Sequence, residues 1–443
     1  MKNLAKKILI KIITNLARAI LWQHKPYIIA VTGNLGKTTT KDSIVAVLKD
    51  KSVRGSAKSF NSDIGVPLTI INSTSPHSHI GKWLLVMMRG VITFFARDYP
   101  EYLVLEVGAD RPNDIRNIVK WLKPDMVILT QFAAVPVHIE NFQNDRELLI
   151  TEKEYLALAA TEILIYNGDD IDCQRIAKRA LLNRSYLQKV SFGRGLHNTL
   201  ILRDAGNSYD LHSAIGTIEY DHRLYKMSID DTLGTASIIA AMPAVLAALY
   251  IETSLDTTID DDTKIIEKAL IKLNKIERQP GRMRPLYGIK NTLIIDDTYN
   301  SSPKALENGL ETLRDIGIKY RRIVVLGDMK ELGTRAASEH YRLGRMVPSS
   351  ASILITYGTL AHDFARGAID AGMKEGYVLE CETLEDVVYE LHQILKAGDI
   401  IYVKGSQSMR MEKVVKEILD KSHNPTVELA RQDREWQEIS VSH

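Results

Sequence analysis

The residues best suited to chemistry lie in the segment VTGNLGKTTT, which spans 31–40 and follows the apolar run YIIAV at 27–31. A glycine-rich turn between a strand and a helix lets backbone N–H groups and the helix N-terminus face phosphate oxygens. Lys37 can then reach the terminal phosphates, and Thr38 can offer its hydroxyl to Mg²⁺. The spacing departs from the general GxxxxGK[ST] pattern, because Val31 stands at the usual first glycine. The segment predicts a nucleotide site made of Thr32, Gly33, Asn34, Gly36, Lys37, Thr38 and Thr39.

Two further side chains follow strand-like runs at the edge where a parallel sheet opens its ligand crevice. Glu106 lies near the end of the run YLVLEV at 102–107, and His138 follows the run MVILT at 126–130 by a short loop. A carboxylate in that crevice can bind Mg²⁺. The alternatives are a solvated carboxylate at a strand end and a surface or hydrogen-bonded core histidine.

Short apolar runs alternate with longer amphipathic stretches along the chain. The runs lie at 27–31, 102–107, 126–130, 163–166, 292–296, 323–327, 352–356 and 399–403. This alternation is typical of α/β proteins, in which helices cover both faces of parallel sheets. Polar, alternating segments within 195–230 predict antiparallel strands. The Pro- and Gly-bearing stretch at 277–285 separates the two series, so we predict domains at 26–278 and 279–443.

Bulk composition narrows the classes of function. A length of 443 residues predicts two or three domains, and a net charge of +2 gives no basic footprint for nucleic acid. Cys173 and Cys381 lie far apart in sequence, which predicts neither a disulfide framework nor a paired metal site. We expect a cytoplasmic protein in which both cysteines are core residues.

Residues 1–25 form a distinct cationic segment, because every charged residue before Asp42 is basic. One face of the predicted amphipathic helix collects Leu9, Ile13, Leu16 and Ile20. This helix either docks on the body of the protein or rests on an anionic membrane surface, and charges leave it too short to span a bilayer. The second apolar stretch, at 83–96, carries Arg89 and predicts a mostly buried helix.

Several longer segments resemble the Mur ligase family, the ATP-dependent amide-bond ligases of peptidoglycan synthesis. Segments similar to its ATPase domain are TGNLGKTTT (32–40), NSDIGVPLTII (61–71), LVLEVGADRPNDI (103–115) and LTQFAAVPVHIENF (129–142). Segments similar to its C-terminal domain are PGRMRPL (280–286), IIDDTYNSSPKAL (294–306), VVLGDMKELG (324–333) and YVKGSQSMRMEKVV (402–415). The last three resemble the MurF-type branch, which adds D-alanyl-D-alanine to a UDP-N-acetylmuramoyl-tripeptide. The resemblance implies a P-loop parallel-sheet ATPase domain followed by a smaller Rossmann-like α/β domain.

The resemblance also implies roles for single residues, with ATP and two Mg²⁺ ions as cofactors. The implied catalytic residues are Lys37, Glu106, His138 and Lys153. The implied metal ligands are Thr38, Glu106, His138 and Lys153, the last as a carbamate. The implied contacts of ATP in the C-terminal domain are Arg282 and Asp297. The implied substrate residues are Asn61, Tyr299, Asn300, Lys404 and Ser406.

Two departures from the family pattern affect recognition of substrates. The family's HNxxN-like element is replaced by LGTASIIAAMPAVLAAL at 233–249, so adenine contacts are expected elsewhere. Pro243 within this stretch predicts a kink or a late helix start. About thirty residues precede the phosphate loop, too few for the family's UDP-binding N-terminal domain. We therefore expect that domain to be absent, and the acyl acceptor stays open.

Three readings of function follow. The first is a MurF-type ligase acting on small-molecule cell-wall precursors, as a monomer, with peripheral contact of residues 1–25 at the inner face of the membrane. The second keeps the chemistry with another acceptor, as in polyglutamate or cyanophycin synthesis. The third is a non-catalytic nucleotide-binding module. A module has no need of a second metal site, so the set formed by Glu106, His138 and Lys153 favours a ligase.

Overall fold

Two helix-covered β-sheets form the core of the computed structural model. The structure describes residues 2–56, 61–74, 80–182, 184, 186–255, 262–432 and 436. The first sheet and its helices occupy residues up to Asn274, and the second sheet begins at Arg284. The predicted division at 278/279 falls in the segment between them and stays a prediction.

The first sheet has nine strands in the order β2-β3-β1-β4-β5-β6-β7-β8-β9. Its strands are β1 (Tyr27–Thr32), β2 (Val53–Gly55), β3 (Tyr102–Glu106), β4 (Met126–Leu129), β5 (Ile163–Asn167), β6 (Gln188–Gly193), β7 (Leu200–Asn207), β8 (Ser213–Tyr220) and β9 (Arg223–Asp230). Pairing is parallel as far as β7, and β7, β8 and β9 are antiparallel. A two-residue turn at Asp221 and His222, both with positive φ, joins β8 to β9. The predicted antiparallel strands within 195–230 are confirmed.

Helices cover both faces of this sheet because its parallel strands are apolar on both sides. They are α1 (Lys2–His24), α2 (Lys37–Val47), α3 (Gly65–Ile71), α4 (Ile80–Phe95), α5 (Asp114–Ile118), α6 (Arg146–Ala159), α7 (Ile171–Ala180), α8 (Thr235–Leu255) and α9 (Asp262–Asn274), with a 3₁₀ helix at Ile139–Phe142. Ile29 and Val31 of β1 pack toward α2, α8 and α9. Ile28 and Ala30 point to the other face, where α1 and α3 to α7 lie.

The second sheet has six strands in the order β10-β11-β15-β12-β13-β14, and only the pair β10 and β11 is antiparallel among its described strands. The strands are β10 (Arg284–Gly288), β11 (Thr292–Asp297), β12 (Arg322–Gly327), β13 (Ile353–Tyr357), β14 (Val378–Cys381) and β15 (Ile400–Lys404). The helices are α10 (Pro303–Ile316), α11 (Ala336–Gly344), α12 (Val347–Ser350), α13 (His362–Asp370), α14 (Leu384–Ile394), α15 (Glu412–Ile418) and α16 (Pro425–Glu428). Short 3₁₀ helices lie at Ile289–Asn291, Gly333–Arg335, Glu375–Tyr377 and Gln407–Met409. The predicted α/β class is confirmed.

Helix α8 contains Pro243, and the two cysteines differ in burial. Pro243 lies inside α8, which starts at Thr235, so the late helix start is wrong. By length and composition α8 could cross a membrane, yet it is packed in the core, where Ala241, Met242 and Val245 are fully buried. Cys173 is buried as predicted, whereas Cys381 is only partly buried.

The predicted burial of the stretch at 83–96 is wrong. This stretch forms most of α4, and most of its large apolar side chains face solvent. By contrast, α1 docks on the body through Ile13, Ala17 and Ile20, all fully buried. Of the two alternatives for residues 1–25, docking of the helix on the body of the protein is therefore confirmed for the described side chains.

Candidate active site

The turn between β1 and α2 has the backbone that a phosphate cradle needs. Gly36 caps α2 in a left-handed conformation at φ 78°, and Gly33 has φ 143°. A Cβ on Gly33 would lie 2.0 Å from Oγ1 of Thr130, so only glycine fits. The Thr130 hydroxyl itself donates to the carbonyl of Leu35 at 2.6 Å and fixes the turn. The first N–H groups of α2 therefore face the cavity beside Lys37.

Thr38 and Glu106 meet at the carboxyl ends of β1 and β3. The Thr38 hydroxyl donates to Oε2 of Glu106 at 2.9 Å, and both side chains are buried. Nδ2 of Asn61 lies 3.5 Å from the other carboxylate oxygen. The parallel pairing of Val31 with Glu106 sets this geometry, because it aligns the two strand ends. A buried carboxylate thus lies directly beside the phosphate loop.

Two lysines near this carboxylate have no ion-pair partner among the described residues. Lys153 projects from α6 and is 2% exposed. Burial and the nearby charge of Lys37 lower the pKa of Lys153 to about 7. Burial also lowers the pKa of Lys37, whose Nζ donates to the carbonyl of Asn34 at 3.3 Å. Both cations are disfavoured by their surroundings, which an anionic ligand would reverse.

His138 joins the two domains. Its Nδ1 lies 3.0 Å from Oε2 of Glu331, which follows β12, and its Nε2 lies 3.5 Å from Oδ1 of Asp110. Burial acts to lower the pKa of His138, but the hydrogen bond and charge of Glu331 raise it overall. The imidazole therefore lies between carboxylates from both domains, near the charge of Lys37.

The second domain contributes a compact, paired group from β11 and β15. Nζ of Lys404 donates to Oδ2 of Asp297 at 2.5 Å and to the carbonyl of Asn300 at 2.9 Å. The Tyr402 hydroxyl donates to the same carboxylate at 3.0 Å, and burial with the Asp297 charge raises the Tyr402 pKa. Parallel pairing of Asp297 with Lys404 places these groups at one sheet end.

Arg282 reaches across to the phosphate loop. Its NH2 donates to Oγ1 of Thr38 at 3.3 Å, and its guanidinium lies 4.3 Å from the centroid of the Tyr299 ring. The Gly281 φ of 75° places the preceding turn against Tyr299, whose N–H donates to the Gly281 carbonyl at 2.9 Å. The arginine is thus held by stacking while its charge faces the loop.

One cavity of about 1110 Å³ between the domains collects nearly all of these groups. The predicted site residues that line it are Asn34, Gly36, Lys37, Thr38, Thr39, Asn61, Glu106, His138, Lys153, Arg282, Asp297, Tyr299, Asn300, Lys404 and Ser406. Thr32 and Gly33 do not line it, because Thr32 is buried in β1 and Gly33 lies against Thr130. The structure brings the predicted set together, and the role of each residue stays a prediction.

Several charged groups of this cavity carry no role predicted from the sequence, and Glu331 and Arg278 are two of them. Glu331, the partner of His138, lies in the segment VVLGDMKELG, which carried no assigned role. Arg278 lies in the stretch that the sequence indicates as a domain boundary, yet it lines the cavity. Burial lowers the pKa of Arg278 to about 10, and its Nε and NH2 have no hydrogen-bond partner among the described residues. The cue for Arg278 was a basic residue next to the segment that contains Arg282.

Two known protein domains together match most of the chain. The Mur ligase middle domain matches residues 31–248, and the glutamate ligase domain of Mur ligases matches residues 281–407. The chain belongs to the Mur ligase family. Mur ligases couple ATP to the formation of carbon–nitrogen bonds, so the enzyme class expected from the sequence is confirmed.

Individual Mur ligases are similar to this chain over most of its length. The UDP-N-acetylmuramoyl-tripeptide--D-alanyl-D-alanine ligase of Bacillus subtilis (strain 168) is 26% identical, with 91% of this chain and 78% of the relative covered. The enzyme of the same name from Haemophilus influenzae is 25% identical, with 92% and 79% covered.

Solved structures show that the fold is shared. MurF ligase from Thermotoga maritima, in complex with ADP, has a TM-score of 0.71 at 24% identity and covers 92% of this chain and 83% of its own. MurF from Acinetobacter baumannii has a TM-score of 0.72 at 20% identity and covers 92% and 79%. The resemblance to Mur ligases drawn from sequence motifs is therefore confirmed.

In this Mur ligase, protein side chains can supply only part of the ligand shell of Mg²⁺. Within the described ranges, no three His, Cys, Asp or Glu side chains converge as a metal-binding group. Mg²⁺ is commonly held by one or two carboxylates, with water and phosphate oxygens completing its shell. Glu106 with the Thr38 hydroxyl supplies such a partial shell beside the phosphate cradle. The residues present therefore fit a metal that binds together with ATP.

Proposed function

We propose that this protein is an ATP-dependent, ADP-forming ligase that adds D-alanyl-D-alanine to a UDP-N-acetylmuramoyl-tripeptide or a related cell-wall precursor. One observation carries the proposal: basic groups from both domains converge on one cavity at the phosphate loop. Lys37 and Lys153 come from the first domain and Arg282 from the second. The names of the similar enzymes supply the substrate pair.

The reaction needs a carboxylate to be made into an acyl donor. A carboxylate oxygen of the acceptor peptide attacks the terminal phosphorus of ATP, which gives an acyl phosphate and ADP. The amine of the incoming dipeptide then attacks the acyl carbon, loses a proton and expels phosphate. Lys37 and Arg282 stabilise charge on the transferred group, because both face the phosphate loop.

Divalent metal ions would supply additional charge neutralisation at the phosphate oxygens when bound. We propose that Thr38 and Glu106 hold one Mg²⁺, and that His138 and a carbamate on Lys153 hold a second. Among the described residues, Nε2 of His138 pairs with the exposed Asp110 at 3.5 Å, and rotation of the Asp110 side chain would free this nitrogen. The His138–Glu331 contact then fixes the ring from the opposite side.

The carbamate on Lys153 follows from the acidity of its ammonium. A neutral amine attacks CO₂ and releases one proton, which leaves a carboxylate where a cation stood. A pKa of about 7 makes the neutral amine abundant at neutral pH. The new negative charge would face Lys37 and bound metal, so it removes the like-charge contact that disfavours the ammonium.

The second domain would position the reactants. Asp297 accepts hydrogen bonds from Tyr402 and Lys404, which holds its carboxylate at the sheet end beside Arg282. We propose that Arg282 and Asp297 contact ATP. The loop residues Tyr299, Asn300 and Ser406 line the same cavity and would face the dipeptide, as would Asn61 on the acceptor side.

The alternative is the same chemistry with a different acceptor, as in polyglutamate or cyanophycin synthesis. It keeps the proposed roles of the residues around ATP and changes only the substrates. A non-catalytic nucleotide module is disfavoured, because it would have no use for the buried Lys153 beside the carboxylate of Glu106. A mass-spectrometric product screen separates these. It offers UDP-muramoyl-tripeptide and its lipid-linked form with several amino acids and dipeptides.

We propose that the enzyme works as a monomer at the inner face of the cytoplasmic membrane, with residues 1–25 as the point of contact. The described solvent side of α1 carries Lys11 and Arg18, and the exposed Lys25 follows the helix directly. The helix itself is docked on the body through Ile13 and Ile20. A docked helix keeps its basic face outward, which suits weak electrostatic binding to anionic lipid.

The test of the ligase is release of phosphate from ATP that depends on both an acceptor and a dipeptide. The Lys37→Ala variant is expected to lose about 10²–10³ of this rate, because a charged donor to the phosphoryl group is removed. Lys49→Ala, at an exposed lysine after α2, is the matched control and should turn over normally. Unchanged turnover in Lys37→Ala, or phosphate release without any acceptor, would contradict the mechanism.

A further inference from the structure

The side of α4 that faces solvent is apolar. Trp83, Val86, Gly90 and Thr93 face inward, and Gly90 lets Leu16 of α1 approach its backbone closely. The outward stripe, with helical spacing, consists of Leu84, Leu85, Met88, Val91, Ile92 and Phe95. These side chains are 51–75% exposed. A contiguous apolar stripe of this kind marks an interaction surface rather than scattered surface residues.

The exposed side of α1 continues this surface. The two helices pack side by side in one layer, where Nε2 of His24 lies 3.0 Å from the carbonyl of Thr93. Ile8, Ile12 and Trp22 are exposed, and the indole of Trp22 is 72% accessible. Both helices thus turn large apolar side chains toward solvent from the same face of the first sheet.

Charge on the same two segments has one sign. The sequence has six basic residues at 2–25 and three at 80–97, and no acidic residue in either. Because the whole chain carries only +2, the rest of it is net negative. The basic side chains Lys11, Arg18, Lys82 and Arg89 are exposed around the apolar stripe. Apolar area flanked by positive charge on both helices is the chemistry of binding to an anionic lipid surface.

We propose that α1 and α4 together form one docking surface for the anionic face of a lipid bilayer, here named the α1–α4 surface. The inference rests on the proposed membrane contact of residues 1–25 and adds α4 as its apolar component; it does not depend on the ligase reaction. The exposed side chains of α4 enter the interface, and the basic residues lie at the level of the phosphates.

Two signals are needed because one amphipathic element binds a bilayer weakly and reversibly. The basic residues of α1 supply attraction to anionic lipid, and α4 supplies apolar burial. A second copy of this chain is a poorer occupant. A two-fold contact through the α1–α4 surface would bring like charges together without an acidic partner in either segment.

Vesicle flotation of the full chain tests the surface. The probes are vesicles of equal parts phosphatidylglycerol and phosphatidylcholine, and vesicles of phosphatidylcholine alone. The apolar variant combines Leu85→Ser, Met88→Ser and Ile92→Ser, and the charge variant combines Lys11→Glu and Arg18→Glu. The control combines Leu182→Ser, Leu224→Ser and Ile318→Ser, which are exposed elsewhere on the molecule.

Support for the proposal requires that the native chain floats with the anionic vesicles only. Each test variant should then lose about tenfold or more in partitioning, while the control does not. All these positions are exposed, so thermal unfolding should be unchanged.

Three outcomes would overturn the inference. If only the charge variant loses binding, α4 is not part of the surface and residues 1–25 act alone. If the native chain binds neither vesicle, the membrane contact itself is wrong while the ligase reaction stands. If sedimentation shows a dimer that the apolar variant dissociates, a second copy covers the surface instead.

Discussion

The two halves of the cavity handle buried charge in opposite ways. On the side of the second sheet, Lys404 is paired with Asp297 at 2.5 Å, and Tyr402 donates to the same carboxylate. On the side of the first sheet, Lys153 and Lys37 have lowered pKa values and, among the described residues, no ion-pair partner. Both halves lie at the carboxyl ends of parallel strands, so topology does not explain the difference.

The difference indicates separate tasks. A buried cation without a partner raises the free energy of the folded protein. Binding of a phosphate to the cation, or its replacement by a carbamate, lowers that free energy again. A paired cation gains little from an anionic ligand, but it holds nearby backbone and carboxylate in place. The first-sheet half is therefore suited to bind and react, and the second-sheet half to position.

Breaking the paired half should produce the largest effect on stability. Lys404→Met leaves the buried Asp297 carboxylate without its cation, and the free energy of unfolding is expected to fall by about 3 kcal/mol. Urea denaturation measures this change. Lys413→Met, at an exposed lysine of α15, is the matched control and should alter stability by less than about 0.5 kcal/mol. An unchanged midpoint for Lys404→Met would show that the pair contributes no stability.

The reactive half should respond in the reverse way. In buffer free of CO₂, where no carbamate forms, Lys153→Met removes a buried cation with no ion-pair partner among the described residues, so the free energy of unfolding should be equal or higher. Turnover should nevertheless fall by about a hundredfold, because the proposed carbamate, and with it the proposed second metal site, could not form. Carbon-13 NMR of the native protein with labelled bicarbonate should show a carbamate signal that the variant lacks. A fully active variant would remove Lys153 from the mechanism.

The lowered pKa of Lys153 also gives a dependence on pH. Between about pH 7 and the ordinary lysine range, the unfolded chain binds a proton at this site that the folded protein has released. The unfavourable contribution of Lys153 therefore shrinks as pH rises through this window. The stability advantage of Lys153→Met over the native protein should be largest below pH 7 and decline above it. A constant difference across this window would contradict the lowered pKa.

Much of the fold could be predicted because apolar runs give strands a direct signature. The run predicted at 399–403 forms β15 at Ile400–Lys404, and that at 102–107 contains all of β3. The exposure of α4 could not be predicted in this way. Apolar composition predicts that a helix is removed from water, but it does not show whether the rest of the protein or a lipid bilayer buries it.

The position of a site residue could be predicted where it lies in a short sequence motif, as do Lys37, Thr38 and Glu106. It was not predictable where a contact joins distant parts of the chain. Glu331 meets His138 only because the second domain closes against the first. Arg278 lies in a segment interpreted as a linker, and only the packed structure places it in the cavity wall.

The contact between His138 and Glu331 joins the two halves, and its removal should have the smallest effect on stability. Glu331→Gln removes the carboxylate that raises the pKa of His138, and it leaves the side chain nearly the same size. Both groups are partly exposed, so the loss of stability should be about 0.5 kcal/mol. A pair with a raised histidine pKa stabilises fully below the unfolded pKa and loses this effect as pH rises through the folded value. The native and variant proteins should therefore differ at pH 5 and converge at pH 8.

NMR titration of the His138 ring resolves the cause of that small change. The pKa of His138 should fall in Glu331→Gln, because burial then acts without the opposing carboxylate. Glu339→Gln, on α11 of the same domain, should leave the titration unchanged, since Glu339 pairs with Arg342 instead. If His138 titrates identically in all three proteins, the domains do not meet through this pair in solution, and the cavity is wider when empty than the closed arrangement implies.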